Sequence, residues 1–235
     1  MKNFIQGFLN VLYPPYCVLC GQLLPMEEWK DGLCKPCADS IPYLLGNRCG
    51  FCGRTLEWGD ICHSCLENRP VFERGISAFD YEVLRDGIAR FKFDGSREDG
   101  KVFGRLMADY LLSYHRDCIE EIDFLTGVPL HAHKQKERGF NQADILCKSI
   151  SLHTGIPYQK DILARTKETI PQSKLSAKER HKNIKNVFIA QNCSDKCVLL
   201  VDDILTTGAT LNECSRALYR EGAKKVEVFC LSVTE

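Results

Sequence analysis

Asp202 and Asp203 stand side by side at the end of an unbroken apolar run, Val198, Leu199, Leu200 and Val201. They are followed closely by Thr206, Thr207, Gly208, Ala209 and Thr210. Such a run is what a strand covered on both faces of a parallel sheet requires. Leu211, Cys214 and Leu218 then recur at helical spacing, and Gly222 closes the segment. The threonine- and glycine-rich turn therefore enters a helix at its N-terminus. There the first N–H groups have no intrahelical acceptors and the dipole favours an anion. The threonine hydroxyls add donors, and Gly208 lets the backbone come close. A phosphate monoester matches that cradle. The two carboxylates cannot hold phosphate, but they can accept from sugar hydroxyls or hold magnesium through water. The chemistry indicated is the holding of a ribose 5-phosphate.

Rival phosphate motifs are missing. The chain contains no complete G-x-x-x-x-G-K-[ST] loop and no G-x-G-x-x-G fingerprint, which argues against an ATPase and a dinucleotide-dependent dehydrogenase. A second polar loop, HAHKQKERGFNQ, follows the strand-like run from Phe124 to Val128. It gathers His131, His133, Lys134, Lys136 and Arg138 just before a helix that begins at Gly139 and contains Ala143, Leu146 and Ile150. In a parallel sheet, ligands sit beyond the carboxyl ends of the strands, so this loop is expected to face the threonine turn across one crevice. A pyrophosphate suits that wall. Arg138 is the strongest candidate, because its planar fork binds two phosphate oxygens at once.

Eight of the fourteen cysteines precede residue 66, in four C-x-x-C pairs: Cys17/Cys20, Cys34/Cys37, Cys49/Cys52 and Cys62/Cys65. Two such pairs supply the four thiolates of a tetrahedral zinc site. Neighbouring pairs give one site from Cys17, Cys20, Cys34 and Cys37 and another from Cys49, Cys52, Cys62 and Cys65, although an interleaved pairing would use the same residues. Two structural zinc ions would also supply folding energy that so small a segment cannot gain from its own core. Four thiolates do not by themselves choose the metal, and an iron–sulfur cluster would use the same ligands. Disulfides would need an oxidising compartment. The opening stretch shows no small-residue cleavage site, and a cytoplasmic setting is expected. His63 is read as a bystander. Cys118, Cys147, Cys193, Cys197, Cys214 and Cys230 are read as structural.

The 31 basic and 31 acidic residues among 235 cancel, which argues against a histone-like DNA coat and leaves room for a local basic groove. No apolar run is long enough to span a membrane. Ile5, Phe8, Leu9 and Leu12 suggest a short amphipathic helix. From about Val71 the pattern alternates strand-like and helix-like segments, as in α/β proteins. Ile76, Ala78 and Asp80 begin a strand. Leu84, Ile88 and Phe91 share one helical face, and Val102, Leu106, Tyr110 and Tyr114 mark another helix.

On the run of apolar strand, two acids and T-T-G-x-T turn, the chain resembles the type I phosphoribosyltransferases. With the cysteine pairs and the intact R-G-F-N-Q at Arg138 to Gln142, it is similar over essentially its whole length to the ComF competence family. The resemblance implies an α/β fold, a type I phosphoribosyltransferase-like parallel sheet flanked by helices, preceded by a small cysteine-rich double zinc ribbon. The expected division is 1–68 for the N-terminal helix and ribbons and 71–235 for the transferase-like domain. It further implies magnesium with phosphoribosyl pyrophosphate as ligand, Asp202 and Asp203 at the reaction centre, and the Thr206–Thr210 turn on the 5-phosphate. His131, Lys134 and Arg138 fall to the pyrophosphate. Lys92 occupies the family's lysine position before a glycine turn, although a surface ion pair would explain it equally. Arg165, Thr169, Gln172, Arg180 and Asn183 match the family's flexible loop. A role in natural transformation goes with the resemblance, with single-stranded DNA and a competence helicase or ATPase as partners. In that setting Phe140 is a candidate for base stacking. The acceptor is not readable from the sequence, and no amidotransferase cysteine follows Met1.

Overall fold

The computed structural model describes residues 15–93, 96–130, 135–136, 138–166 and 187–234. Outside these lie Ile5, Phe8, Leu9 and Leu12, the loop residues His131, His133 and Lys134, and Thr169, Gln172, Arg180 and Asn183.

The alternating pattern after Val71 resolves into strands β1 (Arg74–Asp80), β2 (Phe124–Gly127), β3 (Leu163–Arg165), β4 (Phe188–Ala190), β5 (Cys197–Leu205) and β6 (Lys225–Val233). Four of them form one parallel sheet in the order β1-β6-β5-β2, and β3 and β4 form a separate antiparallel pair. The apolar run at 198–201 is the buried body of β5, a central strand. Alternate residues face opposite layers, as the pleat requires. Leu199 and Val201 join a core with Leu146 and Ile150, whereas Val198 and Leu200 join one with Leu211, Cys214 and Leu218.

Two ribbon helices, α1 (Lys35–Asp39) and α2 (His63–Glu67), each begin directly after a cysteine, Cys34 and Cys62. The helices of the main body are α3 (Tyr81–Phe93), α4 (Arg97–Tyr114), α5 (Arg116–Glu121), α6 (Gln142–Thr154) and α7 (Ala209–Arg220). Leu84, Ile88 and Phe91 of α3 are buried together, as their spacing predicts. Among the described residues no helix is long and apolar enough to cross a membrane.

Connectivity places the crevice. From β5 the chain passes through α7 to β6 on one side. From β2 it passes through α6 to Tyr158, which bridges Leu125 in parallel on the side of β2 away from β5. The two connections diverge between β2 and β5, the switch point beyond which parallel sheets bind ligands. The sequence expectation of two loops on one mouth is therefore met by topology. Gly127 at the end of β2 registers with Val201, and Val128 N–H donates to the Val201 carbonyl at 2.9 Å, beside Asp202.

The second cysteine module is seated on the sheet. Gly53 has φ +72°, and a Cβ there would lie 2.6 Å from the Gly75 carbonyl oxygen of β1. Both facts demand glycine. Gly53→Ala is expected to destabilise the zinc-loaded protein by about 2 kcal/mol or more, from left-handed strain and the overlap with backbone. Urea denaturation followed by far-UV circular dichroism measures it, and an unchanged midpoint would contradict this seating.

Candidate functional site

Strand β5 delivers Asp202 and Asp203 to its carboxyl end. The Asp203 N–H donates to Asp202 Oδ1 at 2.9 Å. Two adjacent carboxyl groups repel when both are charged, and a cation from another element meets one of them. Lys92 Nζ, from the last turn of α3, lies 2.9 Å from Asp203 Oδ2, with the two side chains only 19% and 14% exposed. Lys92 is thus an internal partner of the site rather than a surface lysine. Asp202 is left the less compensated. Burial, followed by the charge of Asp203, pushes its carboxyl up to about 7, against the lowering effects of the Asp203 N–H and Lys92.

The turn after β5 is partly exposed at Thr206, Thr207, Gly208 and Thr210, while Ala209 is buried. Gly208 adopts φ 71° and is the N-cap of α7, where it offers no capping side chain. Thr207 Oγ1 accepts from Ala209 N–H at 3.4 Å, a long contact. The turn thus enters the helix at its N-terminus, as the sequence order suggests, with a glycine at the one position whose φ requires it.

Across the switch point, Arg138 is half-buried, and its Nη1 donates to Gln142 Oε1 at 3.2 Å. The remainder of R-G-F-N-Q is architecture. Asn141, rather than Gly139, caps the helix: its Oδ1 accepts from Ala143 N–H at 3.1 Å and its Nδ2 donates to the Val128 carbonyl at 3.0 Å. Helix α6 accordingly begins at Gln142. Phe140 is buried, stacks on Phe91 with ring centroids 6.0 Å apart and lies under the Arg97 guanidinium. It is unavailable for stacking on a base, which corrects the sequence reading. Arg97 also donates to the Gly139 carbonyl at 3.0 Å, bracing the loop in a way the sequence did not suggest. His131 and Lys134 lie outside the described residues, so only Arg138 of the three pyrophosphate candidates is placed. Arg165, at the end of β3, lies over the Phe188 ring of β4.

The cysteines gather by neighbouring pairs. Cys17, Cys20, Cys34 and Cys37 form one cluster and Cys49, Cys52, Cys62 and Cys65 another, each with all ligand atoms within 4.8 Å of one another. The Cys20–Cys34 and Cys52–Cys62 sulfur separations are both 3.6 Å. Thiolates about 2.3 Å from a tetrahedral zinc sit about 3.8 Å apart, so both sets fit the metal. His63 is outside the cluster and faces Glu67 at 3.7 Å on the surface. In each set burial opposes ionisation, yet backbone N–H donors hold one thiol, Cys17 or Cys49, down to about 7. Every cysteine is free of disulfides. Arg54, just past the third knuckle, donates to the Thr206 carbonyl, and Asn212 of α7 accepts from Val71 N–H at 2.7 Å. No local pattern in the sequence announces either contact.

Comparison with known proteins agrees with this division of chemistry. A profile described as a double zinc ribbon domain matches residues 8–66, and one described as a phosphoribosyl transferase domain matches residues 139–232. Competence protein F of Haemophilus influenzae is 35% identical over 228 residues, which cover 92% of this chain and 96% of that protein. The chain belongs to the ComF family. Other ComF-like relatives include DNA utilization protein YhgH of Escherichia coli K12, 31% identical over 94% of this chain and 98% of that protein. Competence protein ComFC of Streptococcus pneumoniae is 31% identical over 92% of this chain and 98% of that protein. The transferase profile begins only at Gly139, yet β1, α3, α4 and β2 of this ComF-family chain complete the same sheet and its helical layer.

Two measurements follow from the site. Asp202 has a folded-state pKa of about 7, above the value near 3.9 of an unfolded chain. Its stabilising contribution is therefore full below about pH 4 and lost as pH rises through about 7, because the folded state binds the extra proton. Thermal unfolding of Asp202→Asn should depend less on pH across that window than the parent does, and parallel curves would contradict the assignment. Metal analysis should find about two zinc ions per chain, falling to about one in Cys65→Ser. A single zinc in the parent would contradict the two-site reading.

Proposed function

We propose that this ComF-family chain binds 5-phosphoribosyl-1-pyrophosphate with magnesium at the mouth between β2 and β5, and that it is a phosphoribosyltransferase. The reading rests above all on one observation: the carboxylate pair at the end of β5 flows directly into a helix start whose N-cap, Gly208, has no side chain to cap it. A binder of phosphate alone has no need for the acids. The proposed division is a ribbon unit over 1–68 and a transferase unit over 71–235.

Each role follows from charge. The Thr206–Thr210 turn receives the 5-phosphate on N–H and hydroxyl donors. Asp202 and Asp203 accept from the ribose hydroxyls, with Lys92 holding Asp203 in place. Arg138 meets the pyrophosphate from the opposite wall. Asp202 and Asp203 would hold magnesium through water, and the ion would supply positive charge to offset that of the pyrophosphate. An acceptor nitrogen attacks the anomeric carbon, the C1–O bond to pyrophosphate breaks, and pyrophosphate leaves with the bonding electron pair. The protein contributes positioning and fixed charge rather than a covalent intermediate.

The names of the relatives, competence proteins and a DNA utilization protein, support a role in DNA uptake and natural transformation. Single-stranded DNA and a competence helicase or ATPase are the proposed partners. Reduced cysteines serving as metal ligands suit a reducing compartment, and the proposal places the chain in the cytoplasm.

Magnesium with phosphoribosyl pyrophosphate at saturation should raise the melting temperature by roughly 5 °C or more, from the stabilisation expected at about a hundred times Kd. Asp203→Asn should lose that rise. No shift in the parent protein would sink the proposed ligand, and a full shift in Asp203→Asn would sink the role of the acids.

A further inference from the structure

Arg54 links two parts of the molecule that the sequence keeps far apart. It follows the knuckle Cys49-x-x-Cys52 and Gly53, and its guanidinium donates to the backbone carbonyl of Thr206, the first residue of the phosphate turn. The position of Arg54 is set by the knuckle. Gly53 N–H donates to the Cys49 carbonyl, and Cys49 N–H to the Arg54 carbonyl, each at 2.9 Å. Arg48 Nη1 donates to the Gly53 carbonyl at 3.2 Å. Gly53 itself packs on Gly75 too closely for any side chain. The metal-binding knuckle, the arginine and the sheet are thus one unit.

What this does to the turn follows from the peptide plane. In a planar trans peptide the carbonyl and the next N–H point in opposite directions. Holding the Thr206 carbonyl toward the ribbon therefore turns the Thr207 N–H away from it, to the side where an anion at the start of α7 would sit. The same ribbon forms the wall behind the turn. A narrow cleft of only about 30 Å³ is lined by Arg54, Ser64 and Asn68 from the ribbon side and by Thr206, Thr207 and Gly208 from the turn.

We propose that Arg54 is a positioning residue for the sugar-phosphate turn, and that zinc in the second ribbon and a sugar phosphate in the turn stabilise each other through it. The inference rests on the phosphoribosyl reading of the turn. A zinc-held ribbon presents Arg54 in one place, so the donor at Thr207 is aligned before the ligand arrives. By linkage, a ligand that selects this arrangement must tighten the ribbon around its metal by the same factor. The first cysteine cluster has no such contact among the described residues.

The test uses the full zinc-loaded chain and ribose 5-phosphate as the probe. Calorimetric titration should show Arg54→Ala binding about tenfold or more weakly than the parent, the effect expected of losing a charge-assisted hydrogen bond. Zinc content should be unchanged, and Arg54→Lys, which keeps a donor, should recover most of the affinity. Equal affinity in parent and Arg54→Ala, or loss not relieved by Arg54→Lys, would overturn the positioning role. The unmutated protein supplies an independent arm. With a chromogenic chelator, ribose 5-phosphate should slow release of one of its two zinc ions severalfold and leave the other unchanged. Equal slowing of both, or of neither while the sugar phosphate is bound, would overturn the coupling. Failure of ribose 5-phosphate to bind the parent at all would instead contradict the phosphoribosyl reading on which the coupling stands.

Discussion

Two neighbouring carboxyl groups at the end of a buried parallel strand are the constraint on which the rest of this structure depends. Left alone, Asp202 and Asp203 would repel each other and resist burial. One cation answers: Lys92 reaches across from α3 to Asp203 at 2.9 Å, and Asp202 stays protonated to about neutral pH. The site therefore holds its charge only partly balanced, with Asp203 paired to Lys92 and Asp202 left without a cation of its own. Removing Lys92 would leave two adjacent, half-buried acids without that cation, so α3 belongs to the site as much as to the core.

The cysteine-rich modules pack against the main body at two places. In the first, the Cys17 carbonyl accepts from Arg90 Nη2 of α3 at 3.1 Å, and Val18 lies so close to Gly87 of the same helix that a Cβ there would come within 2.3 Å of its carbonyl oxygen. In the second, Arg54 reaches the phosphate turn and Gly53 rests on β1. Segments too small to build cores of their own thus pack on α3 on one side and reach the turn on the other. Metal binding supplies the rigidity, which gives a physical reason for joining double zinc ribbons to a phosphoribosyltransferase-like sheet in one chain.

What could be read from the sequence was what is local. Strand, acids, turn and helix run consecutively from Val198 to Arg220, so their order alone describes the cradle, and the C-x-x-C spacing describes the clusters in the same way. The α/β class and the shared mouth of the β2 and β5 loops follow from general rules of parallel sheets. Contacts between distant segments were not legible: nothing near Arg54 points to Thr206, and Lys92 stands out through the family's lysine position but nothing around it names Asp203 as its partner. Phe140 was misread because an aromatic next to basic residues looks the same whether it faces a ligand or, as here, Phe91. The helix start after Arg138 shifted to Gln142 because Asn141 is the better cap and ties back to Val128.

The most direct test of the cradle is the amide spectrum of uniformly ¹⁵N-labelled, zinc-loaded protein titrated with phosphoribosyl pyrophosphate and magnesium. Saturable shifts should be largest at the N–H groups of Thr206 to Thr210, with smaller ones at Asp202, Asp203 and the region around Arg138. Shifts centred elsewhere, with the Thr206–Thr210 amides unmoved at saturation, would contradict the placement of the 5-phosphate in this turn.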